Sequence, residues 1–210
     1  MAASRPPDEA LVARLSRGGP VHVVDDRLLA DVGSLGHPAR VVCIFDVSAL
    51  PSREKTVPGT DFSLGVHLHR VIDPGNVGTV VRACGALGPA WLSLSPGCSD
   101  PLSAKGVRAS MGAVFRVPIE AGAELPEEGG ARIALVPGGA PAIWDADLTG
   151  QVVLVVGAER HGLPSEILDR CDAAASIPQA AGAESLNAAQ AATLALYEAV
   201  RQRAAAQAES

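Results

Sequence analysis

From residue 65 onward, short apolar runs rich in β-formers recur at 65–71, 90–94, 114–117, 133–136, 152–156 and 173–177. Helix candidates lie between several of them, at 78–87, 102–111 and 164–171. Strands that alternate with helices leave few architectures open. The pattern predicts an α/β domain built on a mainly parallel sheet. A last helix is expected over 185–203, where Leu186, Ala189, Thr193, Leu196, Tyr197 and Val200 recur near one face at helical spacing.

The front of the chain reads differently. An amphipathic helix candidate at 8–15 is closed by Gly18-Gly19-Pro20; strands are expected at 21–24 and 40–45, with a helix over 25–32 between them. Residues 50–62 are polar and turn-rich, so a linker and a domain boundary near Thr60 are expected, giving a front segment of residues 1–60 and a main domain of residues 61–210. At 210 residues there is room for one good core with an appendage.

Composition narrows the class. Apolar residues make up 48% and charged residues 19%, which is an ordered globular balance, and with only 3% aromatics the aliphatic residues must fill the core. The start carries Arg5, Asp8 and Glu9 where a secretory signal would be apolar, and no run of about 18 uncharged apolar residues occurs. A cytoplasmic protein with no membrane association is expected. The four cysteines, Cys43, Cys84, Cys98 and Cys171, lack metal-like spacing and read as reduced, mostly buried thiols, so no metal is expected. A net charge of −6 excludes a protein that coats nucleic acid by bulk electrostatics. Residues 61–120 nevertheless hold five Lys or Arg against four Asp or Glu, whereas 121–130 hold three Glu and no base, so the acid is displaced from the candidate site.

Three polar loops follow strand candidates. The first, Asp73-Pro74-Gly75-Asn76-Val77-Gly78, opens a helix whose inward face is Val77, Val80, Val81, Cys84 and Leu87, with Arg82 leaving that face about two turns from Asn76. It lacks the dinucleotide fingerprint and the lysine of a P-loop, and taken alone reads equally as a structural turn. In the second, Val152–Val156 runs into Gly157-Ala158-Glu159-Arg160-His161-Gly162-Leu163-Pro164, which puts Glu159 at a strand's carboxyl end, where open α/β sheets bind ligands. In the third, Ser176-Ile177-Pro178-Gln179 leads to Glu184-Ser185-Leu186-Asn187, with Glu184 or Ser185 positioned as a helix cap and Asn187 in the first turn. Capping explains one of these loops, not three that converge on strand ends.

Together the segments D-P-G-N-V-G-T-V-V-R-A-C-G-A-L-G at 73–88, D-P-L-S-A-K-G-V-R-A-S-M-G-A at 100–113, V-V-G-A-E-R-H-G-L-P at 155–164, and I-P-Q through S-L-N to L-Y-E-A-V-R-Q-R at 177–203 resemble, in order and spacing, the motifs of the SpoU/TrmH ribose methyltransferases of the SPOUT superfamily. The resemblance covers residues 68–203. It implies a C-terminal segment threaded through a trefoil knot, S-adenosylmethionine bound by the knot loops, a structured ribosomal or transfer RNA as substrate, and a homodimer whose site draws on both subunits. Residues 21–45, with V-V-D-D-R-L-L-A-D-V-G, resemble the latter part of an L30e-like RNA-binding domain, in a reduced or truncated form.

The resemblance assigns roles. Arg82 matches the catalytic arginine, Asn76 the asparagine that arranges it, Glu159 the motif glutamate, and Ser185 and Asn187 the serine and asparagine of the third motif. Cofactor contacts are implied at Leu135, Val136, Pro137, Gly138, Gly157, Glu159, Gly162, Ile177 and Leu186. A guanidinium scarcely deprotonates, so Arg82 is expected to orient the ribose and, with an RNA phosphate, to assist proton loss; the family proposal that it is itself the base stays open. Lys105, Arg108 and Arg116 follow the first motif and, with Arg82, are candidates for phosphate contact, although they read equally as a solvated face. The alternatives are a non-catalytic RNA-binding homologue and a nicotinamide-dependent α/β enzyme. A Ser185/His161/Asp172 hydrolase has no nucleophile elbow to support it.

Overall fold

The computed structural model describes residues 1, 4, 7–33, 39–52, 63–88, 90–128, 130–180, 182 and 185–208. They separate into two compact units, Met1–Ala49 and Leu50–Ser210. The boundary expected near Thr60 falls outside the described residues.

In the first unit, α1 (Glu9–Gly18) begins where the Asp8 carboxylate accepts from the Leu11 amide at 2.8 Å, and α2 (Asp26–Val32) where Asp25 accepts from Leu28 at 2.8 Å. Such caps satisfy amides that a helix start leaves unpaired. Neither expected strand is present among the described residues. Residues 21–24 contribute one isolated bridge, with the Val24 amide donating to the Met1 carbonyl at 3.0 Å, and residues 40–45 are irregular. β-branched residues make a strand only where a neighbour completes the ladder, and Ile44, 94% exposed, has no such setting.

The second unit carries a six-stranded parallel sheet of order β3-β2-β1-β5-β4-β6, formed by β1 (Leu64–Leu68), β2 (Ala90–Leu94), β3 (Ile119–Ala121), β4 (Ala131–Val136), β5 (Val152–Val156) and β6 (Ala173–Ser176). Every residue of β1, β2 and β5 is buried, as a strand covered on both faces requires. One face packs on α3 (Pro74–Leu87) and α6 (Ala188–Ala208); the other collects Trp91, Leu125, Val153, Val155, Leu163 and Ile167, the last from the short α5 (Ser165–Leu168). A Cβ on Gly78 would stand 2.4 Å from the Gly106 carbonyl oxygen, so only glycine lets α3 and α4 (Ala104–Ser110) approach this closely.

Three local readings are corrected. The expected strand at 114–117 is a 3-10 turn, Ala113–Phe115, buried beneath α3; the left-handed Met111 and Gly112 redirect the chain, and the strand forms instead at β3. The buried stripe of α6 is Ala188, Ala189, Ala192, Ala195, Leu196 and Ala199, while Tyr197 is exposed, because small side chains allow close packing on α3 and β5. Cys43 is exposed, unlike buried Cys84, whose thiol desolvation pushes up to about 12. No helix among the described residues is long and apolar enough to cross a membrane.

Candidate functional site

β1 and β5 are paired in register, Leu68 opposite Val156, so their carboxyl ends stop together. The His69 amide extends the pairing by donating to the Val156 carbonyl at 2.8 Å. The loop from β1 to α3 therefore runs beside the loop that follows β5. This is where a parallel sheet opens to ligands.

Each loop is pinned by local chemistry. After β5, the Gly162 amide donates to the Ala158 carbonyl at 2.8 Å, narrowing the loop to a tip of Glu159, Arg160 and His161. A Cβ on Gly157 would lie 2.2 Å from the Gly162 carbonyl carbon, so the first glycine is dictated by backbone contact. After β1, the Asp73 carboxylate caps α3, accepting from the Asn76 amide at 3.0 Å, and accepts from the Lys105 ammonium at 2.7 Å. The Lys105 hydrogen bond and then that of Asn76 lower the Asp73 pKa. With the helix start fixed, the Asn76 side-chain amide donates to the Glu159 carboxylate at 2.6 Å. Two motifs 83 residues apart meet in that bond.

Two cavities share Glu159. One, of about 430 Å³, lies at the ends of β4, β5 and β6 and is walled by Leu135, Val136, Pro137, Gly157, Gly162, Ile177, Ser185 and Leu186 among others. Gly138 borders an adjoining cavity of about 370 Å³ with Pro137 and Ile177. The other, of about 870 Å³, is lined by His69, Arg70, Ile72, Asp73, Asn76 and the 158–162 loop. A groove of about 410 Å³ between α3 and α6 takes Asn76, Thr79, Asn187, Thr193 and Leu194.

Asn187 is not in the first turn of α6: it caps that helix, accepting from the Gln190 amide at 2.7 Å while its own amide donates to the Gln190 side chain at 3.2 Å. Ser185 is left at the cavity wall, and Glu184 lies outside the described residues. Arg82 is exposed on α3, without a hydrogen bond or ion pair among the described residues, and lines none of the four cavities. Lys105, Arg108 and Arg116 also lie outside them.

Sequence reasoning missed His69, Arg70 and Arg160, although the strand-end rule that found Glu159 applies equally to them. His69 lines the larger cavity, and burial first, then Arg70, lowers its pKa. Beneath it lies the fully buried His67, whose Nδ1 is 3.0 Å from the Ser93 hydroxyl. Burial, then His69 and Arg170, push the His67 imidazole down to about 4.

Residues 63–197 match the profile of the SpoU rRNA Methylase family. The chain is 33% identical over 192 residues to an uncharacterized tRNA/rRNA methyltransferase of Synechocystis, covering 88% of this chain and 69% of that protein. It is 36% identical over 194 residues to the 23S rRNA (uridine(2479)-2'-O)-methyltransferase of Streptomyces viridochromogenes, covering 84% and 65%. It thus spans about two thirds of these two relatives, and 46% of a mycobacterial one. The AdoMet-bound rRNA methyltransferase from Sinorhizobium meliloti superposes with a TM-score of 0.77 at 33% identity, covering 92% of this chain and 76% of that one.

Proposed function

This chain belongs to the SpoU rRNA methylase family, and we propose that it transfers the methyl group of S-adenosylmethionine to a ribose 2'-hydroxyl of structured ribosomal or transfer RNA. The observation that carries the reading is the Asn76–Glu159 bond, which stands where an apolar cavity meets a polar one.

The smaller cavity suits the donor. Its volume of about 430 Å³ falls within the range of small-ligand pockets, and its wall of strand-end backbone and aliphatic side chains matches an adenosine with a flexible tail. Leu135, Val136, Pro137, Gly157, Ile177 and Leu186 would hold it, with Gly138 and Gly162 at its margins. When bound, S-adenosylmethionine supplies a methyl group already activated by its sulfonium. In this reading Glu159 fixes Asn76 toward the larger cavity, Ser185 borders the donor, and Asn187 sets the start of α6.

Arg82 requires a second chain. It lies outside the cavities of its own chain, and the α3–α6 groove exposes Thr79 and Leu194. We place the homodimer there, so that Arg82 of one copy serves the cavities of the other. Its guanidinium stays protonated, and its role is to orient the ribose and the neighbouring phosphate while the hydroxyl loses its proton. The crossover that inserts β5 between β1 and β4, followed by the return of α6 onto β5, supports the knotted topology of SPOUT proteins. The front unit is assigned an auxiliary RNA-binding role.

The test is transfer of a labelled methyl group from S-adenosylmethionine to separate ribosomal and transfer RNA pools. One pool is expected to take up label. Binding of S-adenosylhomocysteine and RNA with no transfer to either pool would favour the non-catalytic homologue. Mixing Arg82→Ala with a donor-site variant tests the shared site: recovered transfer is expected, and activity no higher than that of the separate variants would contradict it.

A further inference from the structure

Among the described residues only two non-glycine residues hold a left-handed backbone, Arg70 at φ 53° and Met111 at φ 50°. Met111 has a structural reason, since it ends α4 and its amide donates to the Arg108 carbonyl. Arg70 sits two residues beyond β1, its amide held by the Ser95 hydroxyl at 3.0 Å, in a conformation that glycine adopts freely and an arginine adopts at a cost. Strain of this kind concentrates where a side chain serves a site. Arg70 lines the cavity of about 870 Å³, and Arg160, at the tip of the loop after β5, lines it too, where it adjoins the cavity of about 430 Å³.

Neither guanidinium has a hydrogen bond or ion pair among the described residues. Other cations of this unit are committed: Lys105 to Asp73, Arg132 to Asp172, Arg170 to Leu125 and Glu127, and Arg201 to Glu198. The Arg82 and Arg116 side chains also have no hydrogen bond or ion pair among the described residues, but these residues do not line this cavity. The cavity's own acids are engaged, Asp73 by Lys105 and the α3 amide, Glu159 by Asn76. Two arginines without a side-chain partner among the described residues therefore line a cavity whose carboxylates are occupied.

We infer that Arg70 and Arg160 clamp a phosphodiester of the RNA strand beside the reacting ribose. A guanidinium presents paired donors that match phosphate oxygens, and phosphate contacts of this kind set the register of a strand without reading its bases. The inference rests on the methyltransferase reading and gives its larger cavity a ligand chemistry, which Lys105, tied to Asp73, does not provide.

The experiment uses the full chain, ribosomal RNA as the probe, and the variants Arg70→Gly, Arg160→Gln and their double, with Arg201→Gln as a control for loss of one positive charge elsewhere. Each clamp variant is expected to weaken RNA binding about tenfold, the strength of a charge-assisted contact, and the double about a hundredfold. The slope of log affinity against log salt is expected to fall by about 0.7–0.9 per arginine removed. In Arg70→Gly, S-adenosylhomocysteine affinity should stay within about threefold and the melting temperature should hold or rise because strain is relieved; lost RNA affinity in a chain that is no less stable cannot be assigned to misfolding. Inorganic phosphate and a mononucleotide serve as competitors, and either binding as tightly as RNA would overturn the assignment to a strand. An unchanged affinity and salt slope in the double variant, while the wild type methylates RNA, would overturn the clamp alone. A wild type that neither binds nor methylates RNA would overturn the functional reading and the clamp with it.

Discussion

The cavity at the ends of β4, β5 and β6 is walled mainly by aliphatic side chains and backbone, with Leu135, Val136, Ile177 and Leu186 prominent, whereas its larger neighbour takes His69, Arg70, Asp73 and Asn76, and Arg160 borders both. Both are made by loops at the carboxyl edge of one sheet, and both contain Glu159 and His161. The difference lies in where the polar work is done. On the aliphatic side it falls to backbone groups fixed by close packing, as at Gly157; on the charged side it falls to side chains. A donor that is the same compound in every turnover, leaving as S-adenosylhomocysteine, suits the first arrangement, and a polyanionic acceptor suits the second.

The sharpest way to break that division is Arg82→Ala. Removing a group that acts at the transition state should lower single-turnover methyl transfer at saturating RNA by about 10²-fold or more. S-adenosylhomocysteine affinity, measured by calorimetry, should change little. A rate within threefold of wild type would remove Arg82 from the chemistry; an equal loss of cofactor affinity would move it to the donor side.

Gly157→Ala attacks the aliphatic side. Its Cβ meets the Gly162 backbone, so the loop must shift and the donor wall with it. The expected result is a loss of S-adenosylhomocysteine affinity of about tenfold and a destabilisation of about 1–3 kcal/mol, the usual cost of overpacking. RNA affinity measured without cofactor should fall by less than the cofactor affinity, because the shifted loop also carries Arg160.

The charged side carries an acid limit through His67. Its imidazole is neutral in the fold until pH falls to about 4, whereas in the unfolded chain it takes a proton near its ordinary 6.5. Between those values the unfolded state binds more protons, so stability falls as pH drops from about 6.5 to about 4, by roughly 3 kcal/mol at most. Denaturant titrations of His67→Gln should show a flatter pH dependence over that window. The same slope in variant and wild type would place the acid limit elsewhere.

The smallest effect is expected from Lys105→Ala. Its bond to Asp73 is exposed, and the cap on α3 survives without it, so the melting temperature should move by no more than about 1 °C and RNA affinity by less than about threefold. A larger loss of RNA affinity would return Lys105 to the phosphate-binding set.

How much of this was readable in advance depended on whether the signal was local. β2 and β5 were read at their true limits because each is an unbroken apolar run bounded by turn residues. β3 was not, because Ile119-Glu120-Ala121 at the sheet edge is only partly buried and has no apolar pattern, while the better pattern at 114–117 is spent on a buried turn. Glu159 was readable from its place after a strand. Its bond to Asn76 was not, since it depends on β5 lying beside β1, a matter of sheet order. Arg70 was the least legible, because arginine does not advertise a left-handed backbone as glycine would.

In the proposed reaction a methyl donor on one side of Glu159 meets a ribose hydroxyl on the other. Its most direct test is transfer from methyl-labelled S-adenosylmethionine to RNA by the wild-type chain, followed by digestion to nucleosides and identification of the labelled product. Label is expected in a 2'-O-methylated nucleoside, dependent on both RNA and enzyme. Label on a base would contradict it, as would transfer that proceeds unchanged in Asn76→Ala.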